Sequence, residues 1–397
     1  MTVDGHPGTA AAGLLAGVRV LDLSRVLAGP FGASLLAEMG AEVIKVEFPA
    51  GDPVRGLGPH RGDRSLYFSS VNTGKHGVVI DPDDPRSREH LAHLLDAADV
   101  VVENFRPQAA AALNLDVASL HERHPHLVIV TVSGFAHSSP RAAEAAYDLT
   151  VQAEAGIMAL TGDPGGAPSR AGVPLSDLAG GLFAALGAAA GLVSRGRTGA
   201  GVHVEVPLLD ATLPLLSYVA TAAADAGVDP PPVGSGHHRI VPYGAFEASD
   251  GWIVIAALGD KFWVPLCEAL GLPDLAARDD LRTSEGRLAA RDEVDTAVAG
   301  AVARLTASRA LERLRAADVP AAPVLGVLDA LSTDYVRQRG MVRSVESEQG
   351  AYTVVQGPLR AGGRPRPAPD LDEDSRTVQA AWVAAGAARR SEREGEP

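Results

Sequence analysis

The stretch AGVPLSDLAGGLFAALGAAAGL, residues 171–192, carries a single acidic side chain, Asp177, ahead of a run of small and apolar residues. On a helix, Asp177 shares a face with Gly181, Ala184 and Ala188, while Leu178, Leu182 and Leu186 form the neighbouring stripe. The carboxylate therefore overlooks a floor with almost no side chains. Gly180 and Gly181 each cost such a helix about 1 kcal/mol relative to alanine, so the segment needs close approach of something near its start. Two readings fit. Either Asp177 does chemistry on a ligand brought close, or Ser176 or Asp177 caps the helix and the glycines serve helix packing.

A second set of residues could meet a ligand's charge. Arg25 follows the first apolar strand segment, Arg55, Arg61 and Arg64 lie in a glycine-rich loop, Lys75 sits in VNTGKHG, and Arg106 follows ENF. Several fall just past strand carboxyl ends, where open α/β sheets bind ligands. Together they could hold the phosphates of a nucleotide-bearing cofactor through bidentate guanidinium contacts.

These residues need a scaffold, and the chain supplies one. VRVLDLS reads as a buried strand, AGPFGASLLAEMG as a helix with a closing glycine, and AEVIKVE as a second strand. Strand signals recur at HGVVID, ADVVVENF, LVIVTVSGF and GVHVEVP, with helical segments around REHLAHLLDAA and PQAAAALN. This alternation predicts an α/β fold with a parallel, doubly wound Rossmann-like sheet. LLDATLPLLSYVATAAADA reads as one long helix, and DPPPVGSG marks a boundary. YGAFEASDGWIVIAAL then predicts a hairpin around a Ser-Asp-Gly turn in a smaller α/β domain. The expected division is a disordered leader at 1–16, a large domain at 17–228, linker and small domain at 229–325, a return to the large domain at 326–386, and a disordered tail at 387–397.

Composition narrows the partners. A net charge of −14 over 397 residues argues against nucleic-acid and anionic-membrane surfaces. The single cysteine, Cys267, rules out an internal disulfide framework and a multi-cysteine zinc site, and fits a reducing compartment. With no signal-peptide pattern and no uncharged run of membrane-spanning length, the sequence predicts a soluble cytoplasmic protein.

Glu47, at the end of the second strand, stands where a dinucleotide fold keeps its ribose-binding acid. The fingerprint G-x-G-x-x-G is not met, since the chain reads Ala28-Gly29-Pro30-Phe31-Gly32 and Pro30 removes an amide. NAD is therefore not expected, although the helix start after Gly29 remains open to an anion.

VLDLSRVLAGPFGASLLAEMGAEVIKVE, GDPVR, LYFSSVNTGKHGVVID, ADVVVENFRP, YDLTVQAEAGIMALTG, the Asp177 segment and GAGVHVEVPLLDA occur in an order that resembles the class III CoA-transferase family, from about residue 17 to about 360. That family includes formyl-CoA transferase, carnitine CoA-transferase and α-methylacyl-CoA racemase. The resemblance implies a Rossmann-like large domain, a small domain, and an interlocked homodimer. It implies coenzyme A and acyl-CoA as substrates with a carboxylic acid acceptor, no permanently bound cofactor and no metal. Asp177 matches the family nucleophile, which is acylated and then forms an aspartyl-CoA thioester. With an ordinary pKa of about 4 such a group is ionised at neutral pH and needs no partner base. Small residues beneath it are expected to leave room for the thioester. By the same resemblance Val26, Leu27 and Ala28, with Lys75, Asn104, Phe105 and Tyr147, line the CoA site, where Arg25 and Arg106 are among the cations expected to meet its phosphates. His237, His238 and Arg239 are expected to reach a larger acid from the small domain. Leu27 stands where formyl-CoA transferase has glutamine, and GSGHHRIVP replaces its glycine-rich loop, which argues against formate or oxalate. The alternatives are a 2-methylacyl-CoA racemase and a non-catalytic CoA-binding protein. A racemase carries histidine before the aspartate where this chain reads Tyr147-Asp148.

Overall fold

The structure, a computed structural model, describes residues 13–363, 365–374, 378 and 380–386. Most of the expected leader, and all of the expected tail at 387–397, lie outside the described residues. Residues 13–16 do not behave as a leader: the Leu15 amide donates to the Met39 carbonyl at 2.9 Å, and Leu15 packs on the core.

Six parallel strands form the central sheet. They are β1 (Arg19–Asp22), β2 (Glu42–Glu47), β3 (His76–Val79), β4 (Val100–Glu103), β5 (Val128–Ser133) and β6 (His203–Pro207). Their spatial order is β3-β2-β1-β4-β5-β6, the doubly wound order that reverses direction between β1 and β4. Side chains alternate between two apolar layers, as strands buried on both faces require: Val20, Val43, Val100 and Val128 enter one, and Leu21, Ile44, Val101 and Ile129 the other.

Four helices matter to the site: α1 (Ala28–Glu38), α2 (Leu66–Asn72), α3 (Asp148–Glu154) and α4 (Leu175–Thr198). α1 and α4 cover one face of the sheet, and two glycines set how closely they cross. A Cβ on Gly181 would lie 2.7 Å from the Ala28 carbonyl oxygen and 2.7 Å from Phe31 Cδ1, and one on Gly32 would lie 2.8 Å from the Gly181 oxygen. α4 is long and apolar enough to cross a membrane, yet its Ala179, Ala184, Ala185 and Ala188 are buried in this core.

The described chain gathers into two compact units, one of residues up to Ala155 with Gly172–Leu216 and everything from Asp334 onward, the other of Gly156–Ala171 and Ser217–Thr333. The exchange at 216/217 precedes the Pro-rich run. The single long helix expected there is interrupted: Leu208–Thr212 gives way to a 3-10 turn at Leu213–Leu216 containing Pro214, which has no amide to donate, and Ser217 enters the left-handed region at φ 49° before Ser217–Ala226 resumes. The second unit has its own core around a three-stranded antiparallel sheet of β7 (Tyr243–Ala248), β8 (Gly251–Ala256) and β9 (Ala321–Pro323), ordered β9-β8-β7. β7 and β8 form the hairpin expected at Ser-Asp-Gly. A further hairpin, β10 (Val342–Val345) with β11 (Tyr352–Val355), belongs to the first unit.

Candidate active site

The reversal of strand order between β1 and β4 leaves a crevice of about 430 Å³ in the first unit. Arg25–Ala28 after β1, Asn104–Pro107 after β4, Ser133 at the end of β5 with Gly134 beyond it, Tyr147 before α3 and Asp177 of α4 line it. Asn104 ties the first two loops together: its Oδ1 accepts from the Arg25 amide at 2.9 Å and its Nδ2 donates to the Arg25 carbonyl at 2.8 Å.

The loop from β1 to α1 is held in an unusual conformation. Val26 has φ 72°, a region that β-branched residues rarely enter, so the surrounding structure must enforce it. Its amide donates to the Asp52 carboxylate at 3.2 Å. Asp52 in turn lies 3.2 Å from Lys45 Nζ, which also donates to the Ser24 carbonyl, and Lys75 Nζ lies 2.7 Å from Asp22. All four charged side chains are fully buried. Two acids thus balance two bases directly beneath the loop, as buried charges require.

Asp177 is the third residue of α4, and it does not cap the helix. Pro174, at the cap position, has no side-chain acceptor to offer. The acceptor comes from α3 instead: Asp148 Oδ1 accepts from the Ser176 amide at 2.8 Å and reaches the Asp177 amide at 3.4 Å, while its Oδ2 accepts from Gln152 Nε2 at 2.7 Å. Burial, and then the Asp148 charge, push the Asp177 carboxyl up to about 7. The expectation of an ordinary, fully ionised carboxylate is corrected accordingly. Asp177 also contributes to raising the Tyr67 phenol of α2, after burial.

The glycines beneath Asp177 serve helix packing, as one of the two sequence readings had it, and do not leave the room for a thioester that the resemblance implied. Gly181 admits the α1 backbone, and a Cβ on Gly180 would fall 2.4 Å from Leu208 Cδ2, so neither opens a cavity for a thioester. Their effect is to bring the start of α1 against α4. There the amides of Ala28 and Gly29 precede any intrahelical acceptor, no side chain among the described residues caps them, and Pro30 has no amide. Gly29 admits no larger residue, since its Cβ would lie 2.4 Å from Ser24 Oγ.

Of the residues singled out in the sequence, Arg25, Val26, Leu27, Ala28, Asn104, Phe105, Arg106, Tyr147 and Asp177 converge on this one crevice, with Arg25 and Arg106 exposed at its rim. Lys75 does not. Its buried ammonium donates to Asp22, Asn72 Oδ1 at 2.9 Å and the Pro30 carbonyl at 2.8 Å, which uses all three protons and leaves none for a phosphate. Arg55 pairs with Glu47 at 2.5 Å and Arg64 with Asp370 at 2.7 Å, while Arg61 lies exposed in a short hairpin. His237 and His238 belong to the second unit, where they serve local structure. His237 Nδ1 accepts from the Arg239 amide at 3.0 Å and its Nε2 meets Tyr218 Oη at 2.8 Å, and His238 Nε2 donates to the Pro231 carbonyl at 2.9 Å. Cys267 is buried and its thiol is pushed up to about 12, which removes it as a nucleophile.

Asp52 and Lys45 were not singled out in the sequence, and Asp148 was noted there only beside Tyr147, not as the cap of α4. Asp148 could have been found from the missing cap, since an α4 that begins at proline must take its acceptor from elsewhere.

The sequence profile of CoA-transferase family III matches residues 15–375. An acetyl-CoA:oxalate CoA-transferase of Acetobacter aceti is 36% identical over 375 residues, covering 93% of this chain and 95% of that protein. A succinyl-CoA:mesaconate CoA-transferase of Haloarcula hispanica is 36% identical, covering 91% and 94%, and the human succinyl-CoA:glutarate CoA-transferase is 34% identical, covering 87% and 79%. Among solved structures, a CaiB/BaiF family protein of Brucella suis superposes with a TM-score of 0.83 at 32% identity, over 94% of this chain and 100% of that one. With the sheet order, the crevice and these relatives in agreement, the chain belongs to CoA-transferase family III and is a CoA-transferase.

Proposed function

We propose that this enzyme moves CoA from an acyl-CoA donor to a carboxylic acid through covalent intermediates on Asp177. The observation that carries the reading is that the Asp177 carboxylate faces the crevice while another acid caps its helix. In its ionised form Asp177 attacks the donor thioester carbonyl, and CoA thiolate leaves to give a mixed anhydride. The thiolate then attacks the aspartyl carbonyl, forming an aspartyl-CoA thioester and releasing the donor acid. The acceptor carboxylate attacks that thioester and expels CoA thiolate, which takes the new acyl group and restores Asp177. Each step displaces a group at an acyl carbon, and the start of α1, which lines the same crevice, is the candidate donor to the tetrahedral oxyanions. Arg25 and Arg106 supply charge for the phosphates of CoA.

The relatives named above act on dicarboxylic acids, which makes small dicarboxylates the first acceptors to try. A homodimer is part of the proposal, supported by Leu182, Leu186 and Val193, which lie exposed along one face of α4. A cytoplasmic setting suits the inert Cys267 thiol.

Racemisation of a 2-methylacyl-CoA needs a second acid-base group opposite Asp177, and the neighbouring Asp148 has both oxygens engaged by helix amides and Gln152. The test is to incubate the enzyme with acyl-CoA donors and hydroxylamine, then map the protein by mass spectrometry. A hydroxamate at Asp177, absent from Asp177→Asn, is expected. Full transfer by Asp177→Asn, with deamidation excluded, refutes the assignment, and deuterium uptake at C2 without acceptor makes the enzyme a racemase.

A further inference from the structure

A carboxylate in the first turn of a helix ordinarily gains from the free amides there, which hold its charged form and lower its pKa. Asp177 is denied that help. The Ser176 amide is taken by Asp148 at 2.8 Å, the Asp177 amide faces the same oxygen at 3.4 Å, and among the described residues no donor is hydrogen-bonded to the Asp177 carboxylate. Asp148 itself is anchored by Gln152 from its own helix.

We propose that Asp148 is a positioning residue for the transfer reaction: it caps α4 in place of Asp177, and it holds a fixed negative charge beside the nucleophile until acylation removes the nucleophile's charge. The inference rests on Asp177 as the acylated residue. Every covalent intermediate on Asp177 is neutral there, so the repulsion exists only in the resting enzyme and is relieved as the first bond forms. The same carboxylate that organises the helix start therefore makes Asp177 a stronger nucleophile than a capped acid would be. A capped acid at this position would be a weaker base and would keep its charge more readily.

The other charged or titratable groups that face Asp177 do not share this role. Tyr67 of α2 is held neutral, with its phenol raised by burial. Tyr147, Glu144, His137, Arg25 and Arg106 line the crevice, and none of them is hydrogen-bonded to the first turn of α4.

Asp148→Asn separates charge from capping, because its side-chain oxygen can still accept from the Ser176 amide while Gln152 turns its own amide to match. Asp148→Ser provides a second neutral acceptor should the asparagine variant fold poorly. The first measurement is a carbon-13 NMR titration of aspartate-labelled, substrate-free enzyme, with the Asp177 signal identified by its loss in Asp177→Asn. The midpoint is expected to fall by one pH unit or more in the Asp148 variants. The second is the single-turnover rate of hydroxylamine-trapped adduct at pH 8.5, expected to fall about tenfold, the equivalent of one pH unit of lost interaction. An unmoved midpoint in a folded variant overturns the proposal and reduces Asp148 to a helix cap, whatever the rate does. A wild-type enzyme that forms no adduct at Asp177 instead refutes the nucleophile reading, while the substrate-free titration still decides the matter of Asp148.

Discussion

Asp177→Asn should stabilise the protein at alkaline pH, an effect that can be measured before any substrate is known. The Asp177 carboxyl is raised from 3.8 to about 7 in the folded chain, so the folded state binds this proton more tightly than the unfolded one. The sign follows directly. Below about 4 both states are protonated and the group is neutral to stability, whereas between about 4 and about 7 the unfolded chain ionises first and stability is progressively lost. Above about 7 the loss is complete, at most about 4 kcal/mol, and at pH 5 it is below about 2 kcal/mol. Asparagine removes the ionisation but keeps the size. The variant's advantage over wild type should therefore grow between pH 5 and pH 8 by up to about 2–3 kcal/mol, less for whatever solvent reaches a half-buried group. In thermal unfolding this is a relative gain of roughly 4–8 °C. Taking the variant-minus-wild-type difference at each pH cancels Glu103, another buried acid raised to about 7, because both proteins contain it. A difference that is flat with pH, or that shrinks as pH rises, would show that neither burial nor Asp148 holds the carboxyl up.

Gly181→Ala places a Cβ 2.7 Å from the Ala28 carbonyl oxygen, so α1 must retreat by roughly half an ångström. Stability should change by only about 0–2 kcal/mol, since overpacking is offset by about 1 kcal/mol of helix propensity, while kcat falls about tenfold or more because the start of α1 moves away from Asp177. An unchanged kcat would dissociate the α1 amides from the chemistry. Lys75→Met leaves the buried Asp22 without its ion-pair partner, with only Ser24 and the Lys45 charge to offset it, and should cost up to about 3–5 kcal/mol in denaturant titration. It should leave the salt dependence of CoA affinity as in wild type, whereas Arg25→Ala and Arg106→Ala should weaken affinity and flatten that dependence. Calorimetry at two ionic strengths distinguishes the two behaviours, and a flattened slope for Lys75→Met would return that lysine to the phosphates.

The β-strands of the large sheet were legible because strands buried on both faces read as nearly continuous apolar runs, and their parallel direction followed from the alternation with helices. The charges inside those runs were not. Lys45 and Lys75 look like solvated or ligand-binding cations in sequence, and only the sheet brings them to Asp52 and Asp22, the latter 53 residues away from Lys75. The glycine pair announced a close approach, but not its partner, because α1 lies well over a hundred residues upstream. Asp148 was hidden for the same reason, as it stands 28 residues from the amide it caps. Local spacing reveals which element a residue belongs to. It carries little about which charge a buried charge will find.

Departures from local rules gather at a single place in the first unit. Val26 sits in a backbone region that suits glycine, four charges are buried under its loop, α4 begins without a cap of its own, and the acid in its first turn has a raised rather than a lowered pKa. A chain built for stability alone would have little reason to combine them, since each costs free energy that a serine cap, a glycine or an apolar residue would spare. The helix-cap reading of Asp177 fails on the same ground: Asp148 already performs that task, and the Asp177 carboxylate is left facing the crevice. The strain at Val26 and the glycine contact at Gly181 both act on the first turn of α1, and the Asp148 cap acts on the first turn of α4, so the two helix starts that meet at Asp177 are each fixed from outside. Their convergence sets a poorly solvated carboxylate and the start of α1 on one crevice, the arrangement on which the proposed acyl transfer rests.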